Sequence, residues 1–490
     1  MDDQAPDTRA AILAALADAV PVADDEPFQT ESGGRGRRSG GAGGVDNAEL
    51  AFLPLTDLGN AERFARRVAG RVIHVTALGW LAWDGRRWCK NGADDVVLRL
   101  VHETVRAIQD EATAIRSAGL DLEIEPASSK KPALMLSDKV AAWGRASEAA
   151  AKLKAISPHA APYLAVRVEE LDADPFVLNV ENGTLRFRRD TAGGDLVQLH
   201  PHDPADRITR LAPVIYDPNA TCPTYDRFLA EVQPEPDMRR FLAAWGGYSL
   251  TGDTSEQKVV FQYGSGKNGK STLVDAWGNV AGDYGTTAAI ETFTGDGRNR
   301  SGAQASPDLA ALVGVRYLRT SEPERGAKLA ESLIKLVTGG EQIMARELNK
   351  SPFWFRPSFK LTMSGNHRPK ISGTDEGIWR RLALVPFAVQ IDQPDPELGD
   401  RLKQEASGIL NRLLDGLRDW MENGMPWPGR VLNATAEYRE DSDPLGRFLA
   451  EATVPEVGAR TAAGRMHAAM PHGRDRPVKL SGRRKAFTGH

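Results

Sequence analysis

The sequence predicts an α/β protein in which a parallel-sheet domain with a glycine-rich loop follows a mixed α+β domain. Three observations predict it. Strand-like and helix-like segments alternate from 258 to 390, the pattern of a parallel sheet with helices on both faces. Within that stretch an apolar strand, Val259 to Tyr263, runs straight into Gly264-x4-Gly269-Lys270-Ser271. Between 51 and 250, hairpin and helix patterns mix without that alternation.

The bulk properties agree with two or three soluble domains. A chain of 490 residues exceeds one ordinary core. Its apolar fraction of 41% and charged fraction of 26% are globular values. Two cysteines, Cys89 and Cys222, exclude a zinc ribbon or a disulfide framework and fit a cytosolic setting. No apolar run approaches the roughly 18 residues of a membrane span, and the N-terminus lacks the pattern of a secretory signal. The net charge of −4 does not favour a chain coated in nucleic acid, but basic residues can still cluster locally.

In order along the chain, residues 7–20 predict a short helix capped by Asp7 or Thr8. Residues 31–46 are Gly- and Ser-rich and predict a flexible linker, so 1–50 form an N-terminal extension. Asn60 to Gly70 reads as a helix, and Val72 to Trp88 as a hairpin turning at Asp84-Gly85. Trp80, Trp83 and Trp88 fit a core better than a base-stacking platform. Residues 93–117 and 137–156 read as helices. Residues 176–187 read as two strands around Asn182-Gly183, and helices follow at 224–232 and 236–246. A boundary is expected near 250, then the sheet domain over 251–395, a helical extension over 396–450 and a basic tail over 451–490. Asp172-x-Asp174 reads as a loop, and no second acidic cluster supports nucleotide polymerisation.

The loop carries the chemistry. Gly264, Gly266 and Gly269 let the backbone curl so that N–H groups converge on phosphate oxygens. Ser265, Lys267, Asn268 and Thr272 complete the cradle, and the helix beginning at Lys270 adds its positive dipole end. Lys270 is placed to reach β and γ phosphates, and Ser271 to offer a hydroxyl to Mg2+. Such a site needs a carboxylate. Val313 to Thr320 reads as a strand next to the loop and ends in Ser321-Glu322-Pro323-Glu324, so Glu322 is the first candidate and Glu324 the second. Lys360 to Gly365 is a further strand, ending at Asn366, which can hold the attacking water or sense a γ-phosphate. Arg380 and Arg381 could stabilise charge on a transferring phosphoryl group. A solvated turn or a solvated face is the plain alternative for these last residues.

These elements, in this order, resemble the superfamily 3 helicases, a branch of the AAA+ P-loop ATPases, and among them the phage and plasmid primase–helicases with their poxvirus-type relatives. The resemblance rests on Tyr248-Ser249-Leu250-Thr251-Gly252, G-S-G-K-N-G-K-S-T, Ser321 to Glu324, Leu333 to Gly340, Phe353 to Phe359, Asn366-His367-Arg368-Pro369 and Ile378 to Leu382. Upstream it adds Leu178 to Gly183 and W-D-G-x-x-W, and it covers roughly 55–450. It implies ATP and Mg2+ as cofactors, a homo-hexameric ring on single-stranded or forked DNA, and a separate primase or polymerase as a further partner. It implies no membrane and a bacterial host cytoplasm. By position, Lys270 and Ser271 become Walker A, Glu322 Walker B and a metal ligand, Asn366 the sensor, and Arg380 or Arg381 a finger acting on a neighbour. The stretch before the sensor usually holds a DNA-gripping hairpin, which makes Lys335, Arg346, Lys350 and Arg356 the candidate phosphate contacts. Two features depart from the family: Pro323 separates the two acids, and the region after 450 is short where a DNA-binding wing is common. The competing expectations are an ATP-dependent loader or scaffold on DNA and a P-loop kinase without unwinding.

Overall fold

The computed structural model describes residues 46–188, 196–295, 306–320, 322–346, 348, 352–373, 375–443, 461–462 and 464–465. The expected helix over 7–20, the linker up to residue 45 and nearly all of the basic tail lie outside the described residues.

The upstream region starts with α1 (Asn47–Leu50) and α2 (Asp57–Arg67), the latter capped by Thr56, whose hydroxyl accepts from the Gly59 N–H at 3.0 Å. The segment read as one hairpin is a three-stranded antiparallel meander: β1 (Val72–Val75), β2 (Gly79–Trp83) and β3 (Trp88–Cys89). Asp84-Gly85 makes the second turn, and the first reversal ends at Gly79, where a positive φ of 89° is left to glycine. Trp88 is buried and donates to the Pro204 carbonyl at 2.9 Å, while Trp80 and Trp83 are half-buried. The helical run at 93–117 breaks at Ala107 into α3 (Ala93–Arg106) and α4 (Ile108–Ser117). A small β4 (Glu123–Glu125) and β5 (Leu134–Met135) pair leads to α5 (Leu136–Ser147) and α6 (Ala150–Ala160). Then β6 (Val177–Val180), β7 (Gly183–Phe187) and β8 (Val197–His200) form an antiparallel sheet. Asp172 accepts the N–H and hydroxyl of Thr209 at 2.9 and 2.5 Å, which is a structural loop contact.

Helices α7 (Pro223–Val232) and α8 (Pro236–Tyr248) precede the parallel sheet, each entered through a proline in its first turn. Next come β9 (Val259–Tyr263), α9 (Lys270–Ala281), β10 (Gly285–Ala288), α10 (Pro307–Ala310), β11 (Tyr317–Thr320) and α11 (Glu331–Thr338). An antiparallel pair, β12 (Ile343–Ala345) and β13 (Phe353–Phe355), precedes β14 (Lys360–Gly365), α12 (Glu376–Trp379) and β15 (Leu382–Pro386). Three helices close the domain: α13 (Leu398–Gln404), α14 (Ala406–Asn423) and α15 (Gly429–Ser442).

Five strands form one parallel sheet in the order β10-β11-β14-β9-β15. Side chains alternate between its faces, as the period of a strand requires. Val260, Tyr317, Ala383 and Val385 face α7, α8, α9 and α14. Val259, Phe261, Leu318, Leu361 and Met363 face the other layer, with Ile334, Ile378 and Phe355. The first of these cores runs unbroken from Val177 through α7 and α8 to Val431. The change of pattern near 250 is therefore a change of topology within continuous packing.

The strand order sets the site. From β9 the chain crosses to the far edge, returns strand by strand to β14 beside β9, then adds β15 on the other flank. Connections reverse at β9, and the crevice at the carboxyl ends of strands flanking such a reversal is where open α/β sheets bind ligands.

Candidate nucleotide site

The loop Gly264–Gly269 leaves β9 at that crevice and enters α9, whose first turn has no side-chain cap. The leading N–H groups of α9 are thus left to an anion. Two glycines are sterically required. A Cβ at Gly264 would lie 2.1 Å from the Phe387 carbonyl oxygen. Gly269 has a φ of 78°, and a Cβ there would lie 2.6 Å from Val232 Cγ1 of α7. Lys267 also takes a positive φ, 47°, and its carbonyl accepts the Ile391 N–H at 2.7 Å. Ser265, Lys267 and Ser271 are exposed, and Gly266 and Thr272 are half-buried, so one side of the cradle is open.

Lys270 is buried at 6% exposure, and its Nζ donates to Gly264 O at 2.7 Å, Asn268 Oδ1 at 2.9 Å and Asn366 Oδ1 at 3.3 Å. Burial holds the ammonium below its usual range, and the nearby Glu322 carboxylate pulls it back up. Asn366 follows β14. Its N–H donates to Glu322 Oε1 at 2.5 Å, and its Nδ2 to Oε2 at 3.3 Å. Glu322 follows β11. Lysine, asparagine and glutamate therefore arrive from the loop after β9 and from the ends of β14 and β11, and they form one contiguous polar chain. Lys270 and Asn268 sit on the buried side, while Asn366 and Glu322 are exposed.

The geometry corrects four expectations about placement. The strand bearing Glu322 is not beside the loop strand, because β14 lies between β11 and β9; Glu322 meets the loop through Asn366. Glu324 is exposed in a turn closed by its carbonyl and the Ala327 N–H at 3.0 Å, and Pro323 separates it from Glu322. Arg380 and Arg381 differ. Arg381 is 8% exposed and donates to Thr338 Oγ1 at 3.0 Å and Gly377 O at 2.7 Å, so it ties α12 to α11. Arg380 is exposed beside it. Lys335 pairs with Asp375 at 2.8 Å, which engages its charge within the subunit.

A hairpin does stand between Glu322 and Asn366. In it Met344 pairs with Trp354, and Leu348 and Trp354 are exposed at 69% and 53%. Arg346 follows β12 and bonds through its backbone to Ser306, Arg356 is exposed just past β13, and Lys350 lies outside the described residues.

The sequence reading missed the segment after β15. Phe387 donates its N–H to Tyr263 O at 2.7 Å, and its carbonyl accepts from Asn268 Nδ2 at 3.2 Å. Gln390 Nε2 donates to Ser265 Oγ at 3.2 Å. Phe387–Ile391 thus straps one flank of the loop, and Asn268 links the strap to Lys270. No local motif marks such a strap, since its contacts are to loop groups more than a hundred residues away.

A five-stranded parallel sheet with a glycine-rich loop at its carboxyl edge is the architecture of a Rossmann-like, P-loop type of domain. Comparison with known proteins adds to this. Residues 61–234 match the family described as D5 N terminal like. The chain is 28% identical over 304 residues to "Putative helicase L207/L206" of Acanthamoeba polyphaga mimivirus, a match covering 58% of this chain and 31% of that protein. It is 27% identical over 248 residues to "Putative helicase 022R" of Frog virus 3, covering 46% and 25%. It is 24% identical over 315 residues to "Putative primase C962R" of African swine fever virus (isolate Pig/Kenya/KEN-50/1950), covering 60% and 32%. The matched stretch spans a third or less of each relative's length. At low identity, these matches support the primase–helicase family that the motifs resemble.

Proposed function

We propose that this chain is an ATP-driven DNA helicase of the AAA+ superfamily 3 type, serving replication of viral, phage or plasmid DNA. The observation that carries the reading is the convergence of Lys270, Asn366 and Glu322 from the ends of three adjacent parallel strands. ATP with Mg2+ fits the cradle: its donors are backbone N–H groups and a lysine, and its acid lies one asparagine away. When bound, the ion draws charge from the β and γ phosphates. Lys270 binds those phosphates, exchanging contacts with Gly264, Asn268 and Asn366 for phosphate oxygens. Ser271 and Glu322 hold the metal side. Asn366, already bonded to Glu322, orients the attacking water.

Arg380 supports a ring. It sits at the amino end of β15, whereas the cradle lies at the carboxyl end of the neighbouring β9. Five residues at about 3.3 Å each put roughly 16 Å between the two edges, further than an arginine side chain reaches. If Arg380 acts on a γ-phosphate, the phosphate belongs to a neighbouring subunit, as a head-to-tail ring requires. The β12–β13 hairpin, with Arg346 and Arg356 beside its strands and Lys350 between them in sequence, is the DNA-contacting element in this reading. Lys335 is not, given its ion pair with Asp375.

The test is ATP hydrolysis by the purified protein with and without single-stranded DNA, beside Lys270→Ala. Turnover that rises with DNA and vanishes in the variant is the expected result. Turnover indifferent to DNA would remove the motor and leave a P-loop enzyme of another kind. DNA-stimulated turnover without strand displacement would favour a loader.

A further inference from the structure

We infer that Arg210 and Tyr284 are positioning residues through which the region upstream of β9 sets Glu322 against the P-loop. The inference rests on the nucleotide reading above. Both elements that carry the site are held at their far ends by one polar junction.

Consider the two elements in turn. Helix α9 carries Lys270 at its front and ends at Gly282-Asp283-Tyr284. There the Asp283 carboxylate pairs with Arg87 of the β2–β3 turn and accepts the Leu211 N–H at 3.1 Å. The Asp283 N–H donates to Leu211 O at 3.0 Å, and its carbonyl accepts from Arg210 at 3.2 Å. The buried Tyr284 hydroxyl accepts the Asn179 N–H of β6 at 3.1 Å. Strand β11 leads to Glu322 at its front and begins behind a turn, Val313 to Arg316. Arg210 donates to the Val313 carbonyl in that turn, so one guanidinium touches the back of both elements. Arg316 reaches the opposite way. It donates to the carbonyls of Val177, of Leu250 at 2.9 Å and of Asp174 at 3.3 Å, with its guanidinium 4.6 Å from the centre of the Tyr284 ring.

Tyr284 and Arg316 are buried and Arg210 is half-buried, and apart from Arg210 Nε, which has no hydrogen-bond partner, each displaced donor of this network leaves an unsatisfied group, which stiffens it. The two elements are short and regular: about 18 Å for a twelve-residue helix and about 13 Å for a four-residue strand. Displacement at the junction therefore arrives at the site. The consequence is specific. Phosphate-binding groups all ride on the loop and α9, so a shift of α9 against β11 leaves the cradle intact. Glu322 rides on β11, so the same shift misplaces the carboxylate relative to the bound phosphates. Turnover suffers and nucleotide binding does not.

The experiment compares Tyr284→Phe, which removes one hydroxyl, and Arg210→Lys, which keeps the charge but cannot span two carbonyls. Steady-state ATP hydrolysis is measured per ATP-binding site, with hydrogen exchange of the Asn179 and Leu211 amides in wild type with and without ATP. The expected result is kcat reduced about tenfold or more with KM within about twofold. Because binding linkage is reciprocal and ATP affinity does not depend on the junction, ATP leaves exchange at those amides unchanged in wild type. A merely structural junction gives fewer ATP-binding sites with normal kcat at each, and that outcome overturns the inference. So does an ATP-dependent change in exchange at those amides, since it would couple the junction to binding. Either failure leaves wild-type turnover, and so the nucleotide reading, standing; no ATP binding by wild type overturns both.

Discussion

The parallel sheet holds a buried lysine at each edge, and the contrast between them shows what makes one of them a site. At the carboxyl edge Lys270 donates to three oxygens, one of them on exposed Asn366, and Glu322 lies just beyond. At the amino edge Lys360 donates to the carbonyls of Thr251, of Ser358 at 2.9 Å and of Asp253 at 3.1 Å, with its Nζ 5.0 Å from the centre of the Tyr248 ring. Both ammonium groups are held low by burial. For Lys270 the Glu322 carboxylate opposes that, whereas for Lys360 the neighbouring Arg316 adds to it and Asp253 opposes. Lys360 is 2% exposed, and backbone carbonyls take its donors. Lys270 shares its oxygens with side chains that open to solvent. Burial and charge are common to both, and the open acid-bearing flank is not.

The sharpest way to break this contrast is at the paired arginines of the amino edge. Arg381→Ala should cost about 2–3 kcal/mol of stability, because two hydrogen bonds of a buried guanidinium are lost. Arg380→Ala should leave the unfolding midpoint nearly unchanged and lower turnover by about a thousandfold, the scale of a finger acting from outside. Mixing Arg380→Ala with Lys270→Ala should restore part of the activity, since each variant supplies what its neighbour lacks. Midpoints and turnover of the singles and of the mixture check this. Equal loss of stability in both singles would contradict the division.

A smaller effect concerns pH. Lys360 has a depressed folded-state affinity for its proton, so between its folded value and 10.5 the unfolded chain binds more protons than the folded one. Stability contributed at this position therefore rises with pH across that window and levels off above it. Denaturant titrations of wild type and Lys360→Met from neutral pH upward should show their difference growing in favour of wild type. A pH-independent difference would mean that Lys360 titrates normally.

The contrast also explains which parts were legible in the sequence. The P-loop is a local pattern, and its strand, glycines, lysine and helix start are adjacent in the chain, so the reading needed no tertiary information. Asn366 and Glu322 were singled out because each ends a strand-like run. Their mutual hydrogen bond was not readable, since it depends on β11 and β14 being neighbours. Strand β10, Gly-Thr-Thr-Ala, went unread because an edge strand needs no apolar run. Helix α15 falls within the helical extension expected over 396–450, although few of its residues are buried. Lys360, Arg316 and Arg210 look like surface charge in a sequence; what buries them is a set of carbonyls from distant segments. Arg380 and Arg381 are consecutive, and only the turn at the end of α12 decides which one faces inward.

The central claim is that Glu322 serves the chemistry while Lys270 and the loop bind the phosphates. Glu322→Gln tests it most directly, because it keeps the size and the acceptor for the Asn366 N–H while removing the charge. Equilibrium binding of ATP and its steady-state hydrolysis are measured on the same preparation. ATP affinity should stay within about threefold of wild type and turnover should fall by about a hundredfold or more. Turnover close to that of wild type would contradict the claim and move the catalytic carboxylate elsewhere.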